Sequence, residues 1–319
     1  MSPDKETEEE IPMNGYVLLD AGGTEIKSAA FSDTGRRLDE IHSAPSHARE
    51  DREKILGNLL DVIAREKGVL EAGGYRLGTV GMAFPGPFDY PKGISHIRGL
   101  DKYDAIDGVA LEEALKGIPG QGVLAPDVRF FFRHDVDSFA LGTAAREPAC
   151  AGGRTICLAI GTGTGSAFLD GGRLVKKGKG APDDGWIYPF PFRGGIIDDW
   201  VSVRGLAKLT AEAGFPAGTT GKDLSRMASQ GDRQAAAVWE EFGRLIAEAL
   251  EPFIASFRPD RLVLGGQISK AEKYFGGEIR KRYPEMEIIV ISDTTEYILE
   301  GLLASGRENP ETQGSGGKA

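Results

Sequence analysis

The sequence predicts an α/β protein built from two related halves, and three patterns support this. Apolar runs of strand length alternate with helical periodicities from residue 15 to residue 306. Each half opens with a strand followed by a glycine-rich turn, Gly22-Gly23 in the first and residues 161–165 in the second. Residues 31–36 (FSDTGR) and 168–173 (FLDGGR) match at four of six positions, 137 residues apart. Segments this short also match by chance, so the repeat alone leaves a duplication and a coincidence open.

Turn residues and periodicity divide the first half into elements. Asp33-Thr34-Gly35 predicts a hairpin turn. Gly68 ends a run of apolar residues at helical spacing and predicts the end of a helix. The predicted elements, in order, are strands over 16–19, 26–32 and 36–43, a helix over 50–67, strands over 77–84 and 128–133, and a helix over 136–146.

The second half begins like the first and then becomes more helical. Its longest apolar stripe at helical spacing predicts a helix over 233–257. The other predicted elements are strands over 155–160 and 166–175, a helix over 199–213, strands over 261–264 and 288–291, and a helix over 297–303. Residues 1–14 are acidic and 307–319 are polar and glycine-rich, so we expect a disordered leader and a disordered tail.

Composition excludes several classes of protein. Hydrophobic residues make up 40% and charged residues 27%, enough for a buried core, and the net charge is −10. We find no basic stripe for nucleic acid, no membrane-length apolar stretch and no signal peptide. Two cysteines, Cys150 and Cys157, and no histidine after His134 argue for buried thiols in a reducing cytoplasm, without structural zinc. Glycine is unusually frequent: 45 of the 319 residues are glycine, about 14%, whereas ~7% is usual in proteins.

Two glycine-rich turns are candidate phosphate sites. Gly22 and Gly23 would turn with positive φ and bring backbone N–H groups to an anion, while Thr24 adds a hydroxyl. Asp20 could hold a Mg²⁺-bound water near a polyphosphate. The turn Gly161-Thr162-Gly163-Thr164-Gly165 has the same abilities. Taken singly, each turn is equally compatible with a plain hairpin, and neither matches a P-loop or a Rossmann fingerprint.

Three further segments carry chemistry at predicted strand ends. His134-Asp135 follows a strand, where a carboxylate is placed to act as a general base; a helix N-cap is the alternative for Asp135. The loop 84–89 (FPGPFD) is either a shaped ligand loop or a proline-braced turn. Residues 262–269 (LVLGGQIS) either offer bare backbone to a flat ring or make a tight turn. In 180–195, the aromatic side chains suit either a sugar face or a subunit contact.

Five of these segments, read in order, resemble the ROK family of bacterial sugar kinases. They are LLDAGGTEIK, FPGPFD, HDVDSFALG, LAIGTGTGSAFLDG and LVLGGQIS. The resemblance covers nearly all of residues 15–306 and implies the actin-like ATPase (ribonuclease H-like) fold, with two duplicated α/β lobes and a central cleft. It implies an N-terminal lobe over 15–134, completed by a helix over 295–306, and a C-terminal lobe over 135–294.

The resemblance also implies a role for each motif. Asp135 matches the family's catalytic aspartate, which takes the proton from a sugar hydroxyl, and Asp20 would contact Mg²⁺ through water. The residues implied to bind ATP are Asp20, Gly22, Gly23, Thr24, Lys27, Gly161, Thr162, Gly163, Gly165, Gly265, Gly266 and Gln267. Those implied to bind the sugar are Gly86, Asp89, His134 and Asp135.

The sugar segment departs from the family pattern. His134-Asp135 stands where these kinases usually have Asn-Asp. PDDGWIY and IIDDWVSVRGL occupy the region of a Glu-x-Gly-His element and a Cys-rich zinc module. Asp184, Trp186 and Tyr188 are the candidates to replace the missing sugar contacts.

The expected function is ATP- and Mg²⁺-dependent phosphorylation of a hexose or N-acetylhexosamine, as in a glucokinase, by a cytoplasmic homodimer with no membrane or nucleic-acid partner. Because the sugar segment is altered, a sugar-sensing regulator that binds without turnover is the alternative, and an ATPase acting on a non-sugar substrate is a third. A family repressor would need a DNA-binding domain before the first strand, and we expect residues 1–14 to be too few for one.

Overall fold

The computed structural model describes residues 13–307, which divide into two units. The first unit runs to Asp135 and resumes at Leu302, and the second is Val136–Gly301. Most of the expected leader and tail, 1–12 and 308–319, lies outside the described residues. At their inner ends the prediction of disorder was wrong: Met13 and Asn14 begin a strand, and Arg307 ends a helix. The two strand residues are ordered because their backbone pairs with a parallel neighbour.

The first unit is a mixed sheet with helices. Its elements are β1 (Met13–Ala21), β2 (Glu25–Phe31), β3 (His42–Pro45), α1 (Arg52–Ala72), β4 (Tyr75–Phe84), β5 (Phe88–Asp89), β6 (Ile94–Ser95), α2 (Leu111–Lys116) and β7 (Arg129–His134). The sheet order is β3-β2-β1-β4-β7, with β1, β4 and β7 parallel and the hairpin strands antiparallel. Apolar side chains of β1, β4 and α1 form its core.

The second unit repeats this plan with more helix. The elements that follow β7 are α3 (Asp135–Arg146), β8 (Arg154–Ile160), β9 (Thr164–Asp170), β10 (Arg173–Leu174), β11 (Pro191–Phe192), β12 (Gly195–Ile196), α4 (Val203–Glu212), α5 (Gly221–Ser229), α6 (Arg233–Phe257), β13 (Arg261–Gly265), α7 (Glu272–Arg282), β14 (Glu287–Val290) and α8 (Thr295–Arg307). The sheet order is β10-β9-β8-β13-β14.

The two sheets have the same strand order and the same strand directions. In each sheet, the first three strands along the chain pair antiparallel with one another in turn. The last two strands along the chain run parallel to the first of these three. The six-residue sequence match begins at buried Phe31 of β2 and buried Phe168 of β9, in the corresponding strands. Equivalent placement favours a duplication over a chance match, and the α/β prediction is confirmed.

Two predicted boundaries were wrong for physical reasons. Helix α1 continues through Gly68, where an added Cβ would meet nothing, and ends before Gly73. A glycine inside a helix costs only about 1 kcal/mol, less than the gain from burying Leu70 in the next turn. The strand predicted over 36–43 is reduced to β3, because Ser32 closes the turn through its hydroxyl and the following residues join β2 only at one isolated bridge.

Helix α8 divides between the units, so it does not simply complete the first one. Its residues up to Gly301 belong to the second unit, where a Cβ on Gly301 would lie 1.8 Å from the Ser138 carbonyl oxygen. Its last turns belong to the first unit, where a Cβ on Gly306 would lie 3.0 Å from the Phe131 ring. Glycine permits a close approach at both places.

A buried carboxylate ties α1 to the hairpin strands. Glu66 is fully buried, and its Oε1 accepts hydrogen bonds from the Ser28 hydroxyl at 2.8 Å and from Arg65 at 3.1 Å. The same oxygen lies 3.0 Å from His42 Nδ1. We expect Glu66→Ala to lower the free energy of unfolding by about 2–3 kcal/mol, because charged hydrogen bonds are lost and their donors stay partly buried. Urea denaturation measures the change.

Glu71→Ala is the matched control on the same helix. Glu71 is exposed, and among residues 13–307 its side chain pairs only with Lys67, at 3.6 Å. Its loss should therefore change stability by less than about 0.5 kcal/mol. Equal effects of the two substitutions would contradict a structural role for the buried carboxylate.

Candidate active site

The predicted site residues of the first unit lie where its parallel strands end. Asp20 pairs with Ala83 between β1 and β4, one residue before Phe84 ends β4. Phe84 in turn pairs with His134, the last residue of β7, and Asp135 follows at the start of α3. The carboxyl ends of neighbouring parallel strands meet at one edge of the sheet. The structure therefore brings Asp20, the loop after Phe84 and Asp135 to the same edge.

The first glycine-rich turn is tight for a reason different from the predicted one. Neither Gly22 nor Gly23 has positive φ, so that prediction was wrong. At Gly22 a close backbone neighbour excludes a side chain instead: a Cβ there would lie 2.9 Å from the Glu25 carbonyl oxygen. A Cβ on Gly23 would lie 3.1 Å from the Lys102 side chain, a tight contact that a small shift of the lysine would relieve. The Gly22 N–H donates to the Asp20 carbonyl at 3.2 Å, which folds the chain back at this point.

Thr24 and Lys27 flank this turn. Thr24 is exposed, and its carbonyl accepts a hydrogen bond from the Ser46 N–H at 2.9 Å. Lys27 is half-buried in β2 directly opposite Asp20. The turn thus presents a hydroxyl, an ammonium group and a carboxylate within a few residues of bare backbone.

Two buried hydroxyl groups hold the turn, and the sequence analysis missed both. The hydroxyl of Tyr103, a fully buried residue, donates to the Gly22 carbonyl at 2.9 Å, and that of Ser46 donates to the Gly23 carbonyl at 2.8 Å. Burial raises the pKa of Tyr103, and the charge of Asp20 raises it further, so the phenol stays protonated as a donor. Tyr103 is 81 residues from Gly22, and no local motif marks it.

The resemblance implies that this turn binds ATP. On that expectation, Tyr103→Phe should raise KM for ATP about fivefold while kcat changes less, because one hydrogen bond that positions the turn is lost, worth about 1 kcal/mol. Steady-state kinetics with ATP as the varied substrate measures the split between the two constants.

Tyr75→Phe serves as its control. Tyr75 is half-buried at the start of β4, and no hydrogen bond of its hydroxyl is found within residues 13–307. The same atom is removed there without touching the turn. Equal kinetics of the two variants would contradict a positioning role for Tyr103.

Asp135 is accessible and lies beside an imidazole. Its side chain is 41% exposed, and one carboxylate oxygen lies 3.4 Å from His134 Nε2. The His134 ring meets the Tyr90 ring edge-on at 5.9 Å, and the Tyr90 hydroxyl donates to the Phe84 carbonyl at 3.0 Å. Gly86 adjoins both rings, since its Cβ would lie 3.5 Å from the Tyr90 oxygen. The Asp135 carboxylate, the His134 imidazole and the loop at Gly86 are thus adjacent. An accessible carboxylate beside a loop without bulky side chains can act as a general base on a substrate hydroxyl.

Asp89 is engaged within its own turn. Lys92 donates to it through its backbone N–H at 3.2 Å, and the Lys92 ammonium group lies 3.2 Å from the second oxygen. Desolvation acts to raise the pKa of Asp89, but the hydrogen bonds and charge of Lys92 outweigh it, so the pKa lies below its usual value. The carboxylate is therefore ionised and can only accept hydrogen bonds.

In the second unit the other glycine-rich turn connects β8 to β9. The Gly161 N–H donates to the Gly163 carbonyl at 3.0 Å. Thr162 is exposed at the tip, whereas Thr164 is buried with its hydroxyl donating to the Val201 carbonyl. Gly165 has no room for a side chain, because a Cβ would lie 2.3 Å from Val136.

An ion pair that the sequence analysis missed braces this turn. Asp198 accepts the Thr164 N–H at 2.7 Å and pairs with Arg204, whose guanidinium also donates to the Thr162 carbonyl at 3.3 Å. Arg204 is 57% exposed, so a cation lies at the tip of the turn. The only signal in the sequence was the charged residues of IIDDWVSVRGL, which no spacing rule connects to the turn.

The strand next to this turn ends in the predicted glycine pair. Gly265 ends β13 and pairs with Ala159 of β8, so Gly266 and the turn of residues 161–165 lie at the same edge of the second sheet. Gly266 has φ of 84°, and a Cβ there would lie 2.5 Å from the Ile160 carbonyl oxygen. Gln267 is exposed at the start of a short 3₁₀ turn. The glycine pair makes a tight turn from β13 into this 3₁₀ turn, one of the two predicted alternatives, and leaves bare backbone there.

The candidate sugar contacts of the second unit lie beside β9. The Ser166 hydroxyl donates to the Gly185 carbonyl at 2.7 Å and fixes this segment. Asp184 is exposed with φ of 57°, and the Trp186 and Tyr188 rings are 6.0 Å apart. The two rings form one local pair, and Asp184 lies two residues before the first of them.

Residues 13–307 contain neither a cluster of metal-binding side chains nor a helix that could span a membrane. No cluster of three or more His, Cys, Asp or Glu side chains there could hold a metal ion. Mg²⁺ at a polyphosphate needs only one or two carboxylates, with phosphate oxygens and waters completing its shell. A single carboxylate at the end of β1 beside bare backbone fits such an ion. None of the helices in this range is long and apolar enough to cross a membrane.

Comparison with known proteins gives one family. The model of the ROK family matches residues 16–309, nearly the whole chain. Glucokinase of Thermotoga maritima is 23% identical over 315 residues, covering 92% of this chain and 94% of that protein. N-acetyl-D-glucosamine kinase of Vibrio parahaemolyticus is 25% identical, with 85% and 89% covered.

A solved structure agrees in fold. The ROK family glucokinase of Streptomyces griseus, in complex with glucose and AMPPNP, superposes with a TM-score of 0.67 at 18% identity. The match covers 92% of this chain and all of that one. The predicted actin-like fold is thereby confirmed.

Proposed function

Because this chain belongs to the ROK family, we propose that it transfers the γ-phosphoryl group of ATP to a hydroxyl of a hexose or N-acetylhexosamine. The chain is a carbohydrate kinase, the class to which its relatives named glucokinase, fructokinase and N-acetyl-D-glucosamine kinase belong. The acceptor sugar, the base and the metal are the finer parts of the proposal.

One observation carries the proposal: Asp135 lies, accessible, at the same sheet edge as Asp20 and the Gly86 loop. Two inter-strand spacings separate β1 from β7, about 10 Å. That distance leaves room for a sugar hydroxyl at Asp135 and a phosphate near Asp20. Positioning and charge neutralisation supply most of the catalysis in phosphoryl transfer.

Asp135 accepts the proton of the sugar hydroxyl as its oxygen attacks phosphorus. His134, 3.4 Å away, orients the carboxylate and offers its ring to a neighbouring hydroxyl. Asp20 would hold Mg²⁺ through a bound water, and Gly23, Thr24 and Lys27 would contact the terminal phosphates. Bound Mg²⁺ would neutralise charge on the phosphate oxygens.

In the second unit, the turn from Gly161 to Gly165 binds phosphate through its backbone, with Thr162 at its tip. Arg204 adds a positive charge there, supported by its exposure and its bond to Thr162. Gly265, Gly266 and Gln267 face adenosine, because bare backbone lets a flat ring approach. Gly86, Asp89, Asp184 and Trp186 contact the sugar.

A panel of hexoses and N-acetylhexosamines, assayed for ADP release, tests the function. We expect one class of sugar to stimulate ADP release strongly over ATP alone. Stabilisation of the protein by a sugar without ADP release would instead favour the sensing regulator. ADP release that no sugar changes would favour an ATPase with a non-sugar substrate.

A further inference from the structure

Lys102 lies across the first glycine-rich turn, although it is far from that turn in the sequence. Its Cβ, Cγ and Cδ atoms all lie within 4.0 Å of the position that a Cβ on Gly23 would occupy. The apolar stem therefore packs on the side of the turn that glycine leaves bare. The ammonium group is two bonds beyond Cδ, so it lies beside the turn.

The ammonium group of Lys102 has no partner among residues 13–307. No ion pair or hydrogen bond of this group is found there, and the residue is half-buried. A charge that is partly removed from water is costly unless an opposite charge approaches it. Lys102 is therefore suited to an anion from outside this part of the chain.

The residues on either side hold Lys102 in this place. Asp101 and Tyr103 both have left-handed backbone, with φ of 55° and 58°. Such backbone is unfavourable in residues other than glycine and persists where surrounding contacts enforce it, often at ligand sites. Arg49 donates to the Asp101 carbonyl at 3.1 Å and pairs with its carboxylate at 2.7 Å. The Tyr103 N–H donates to the Ala48 carbonyl at 2.5 Å, and its hydroxyl bonds the turn itself.

The position of the turn indicates which anion would approach. The turn follows β1 at the sheet edge that also holds Asp135. In the proposed reaction a sugar hydroxyl at Asp135 attacks the γ-phosphate, so that phosphate must lie near this edge. Lysine is a common partner of phosphate groups, which it binds as a point charge.

We propose that the Lys102 ammonium group contacts the γ-phosphate of ATP. This role rests on the proposed function, which supplies ATP as the ligand. The charge of Lys102 would offset that of the phosphate oxygens, and charge neutralisation of this kind supplies much of the catalysis in phosphoryl transfer. The alternative is that Lys102 only packs on Gly23.

Lys102→Met separates these two roles, because methionine keeps an unbranched stem against Gly23 and loses the charge. We expect the Kd for AMPPNP with Mg²⁺ to rise at least about tenfold, the usual cost of one charged hydrogen bond. The Kd for ADP, which lacks the γ-phosphate, should change by less than about threefold. Isothermal titration calorimetry on the full chain measures both constants.

Lys67→Met is the matched control. Lys67 is another half-buried lysine of the first unit, and it lies towards the end of α1. The next strand, β4, begins at the sheet edge opposite the turn, because it runs parallel to β1. The same loss of charge at Lys67 should leave the Kd for AMPPNP unchanged.

Three outcomes would overturn the role of Lys102 and leave the proposed function standing. They are wild-type affinity of the Lys102→Met protein for AMPPNP, an equal loss of affinity for ADP, and an equal effect of Lys67→Met. A wild-type chain that bound no AMPPNP would overturn both the role of Lys102 and the proposed function.

Discussion

Asp135→Asn is expected to lower kcat by roughly 10²–10⁴-fold, the usual cost of removing a positioned general base. KM for ATP and thermal stability should stay near wild type, because the amide has almost the same size and the side chain is accessible. Sugar-stimulated ADP release under saturating substrates measures kcat. The substitution removes the proposed acceptor of the hydroxyl proton.

The choice of asparagine separates two roles of Asp135. The alternative to catalysis is that Asp135, the first residue of α3, only caps this helix. Asparagine caps a helix as well as aspartate does. A capping role therefore predicts an active variant, and near wild-type kcat would refute Asp135 as base.

Asp61→Asn supplies the matched control. Asp61 is exposed on α1, where the same loss of charge should leave kcat unchanged. A comparable fall in kcat there would trace the effect to net charge.

Gly142→Ala is expected to cost about 3 kcal/mol or more of unfolding free energy, the upper range for overpacking. A Cβ on Gly142 of α3 would lie 1.7 Å from the Tyr297 carbonyl oxygen of α8. The obstacle is backbone, so a rotamer change cannot relieve it. Gly301 packs as closely against α3 in the same unit, 1.8 Å from the Ser138 carbonyl oxygen, so the two helices cannot easily separate.

Gly68→Ala gives the opposite sign with the same substitution. Gly68 lies inside α1, and an added Cβ meets nothing, so alanine should stabilise the protein by about 0.5–1 kcal/mol. Urea denaturation midpoints compare the two variants. A Gly142→Ala protein as stable as wild type would show that α3 and α8 can move apart.

Local patterns predicted the elements well where one physical cause dominates. The helix over 233–257 was predicted with its observed bounds, because Asp232 caps its first turn and a long apolar stripe faces the core. A tight turn was one of the two alternatives predicted for residues 262–269, and Gly266 has positive φ there. In both cases the determining contacts lie within a few residues.

The remaining features depend on contacts between distant residues. Tyr103 supports the first turn from 81 residues away, and Asp198 supports the second from 34 residues beyond Thr164. The need for glycine at Gly165 comes from Val136, 29 residues earlier in the chain, with no left-handed backbone at Gly165. Periodicity and spacing carry no information on such pairs.

The repeated strand order also bears on how the chain folds. In the first sheet, Tyr16 pairs with Thr79 after one hairpin and one helix. In the second, Thr155 pairs with Arg261 only after α4, α5 and α6 have intervened. Ordering a longer loop costs more entropy, and sequence-distant strand pairing slows folding. The two sheets share one strand order, but we expect the parallel strands of the second sheet to pair more slowly during folding than those of the first.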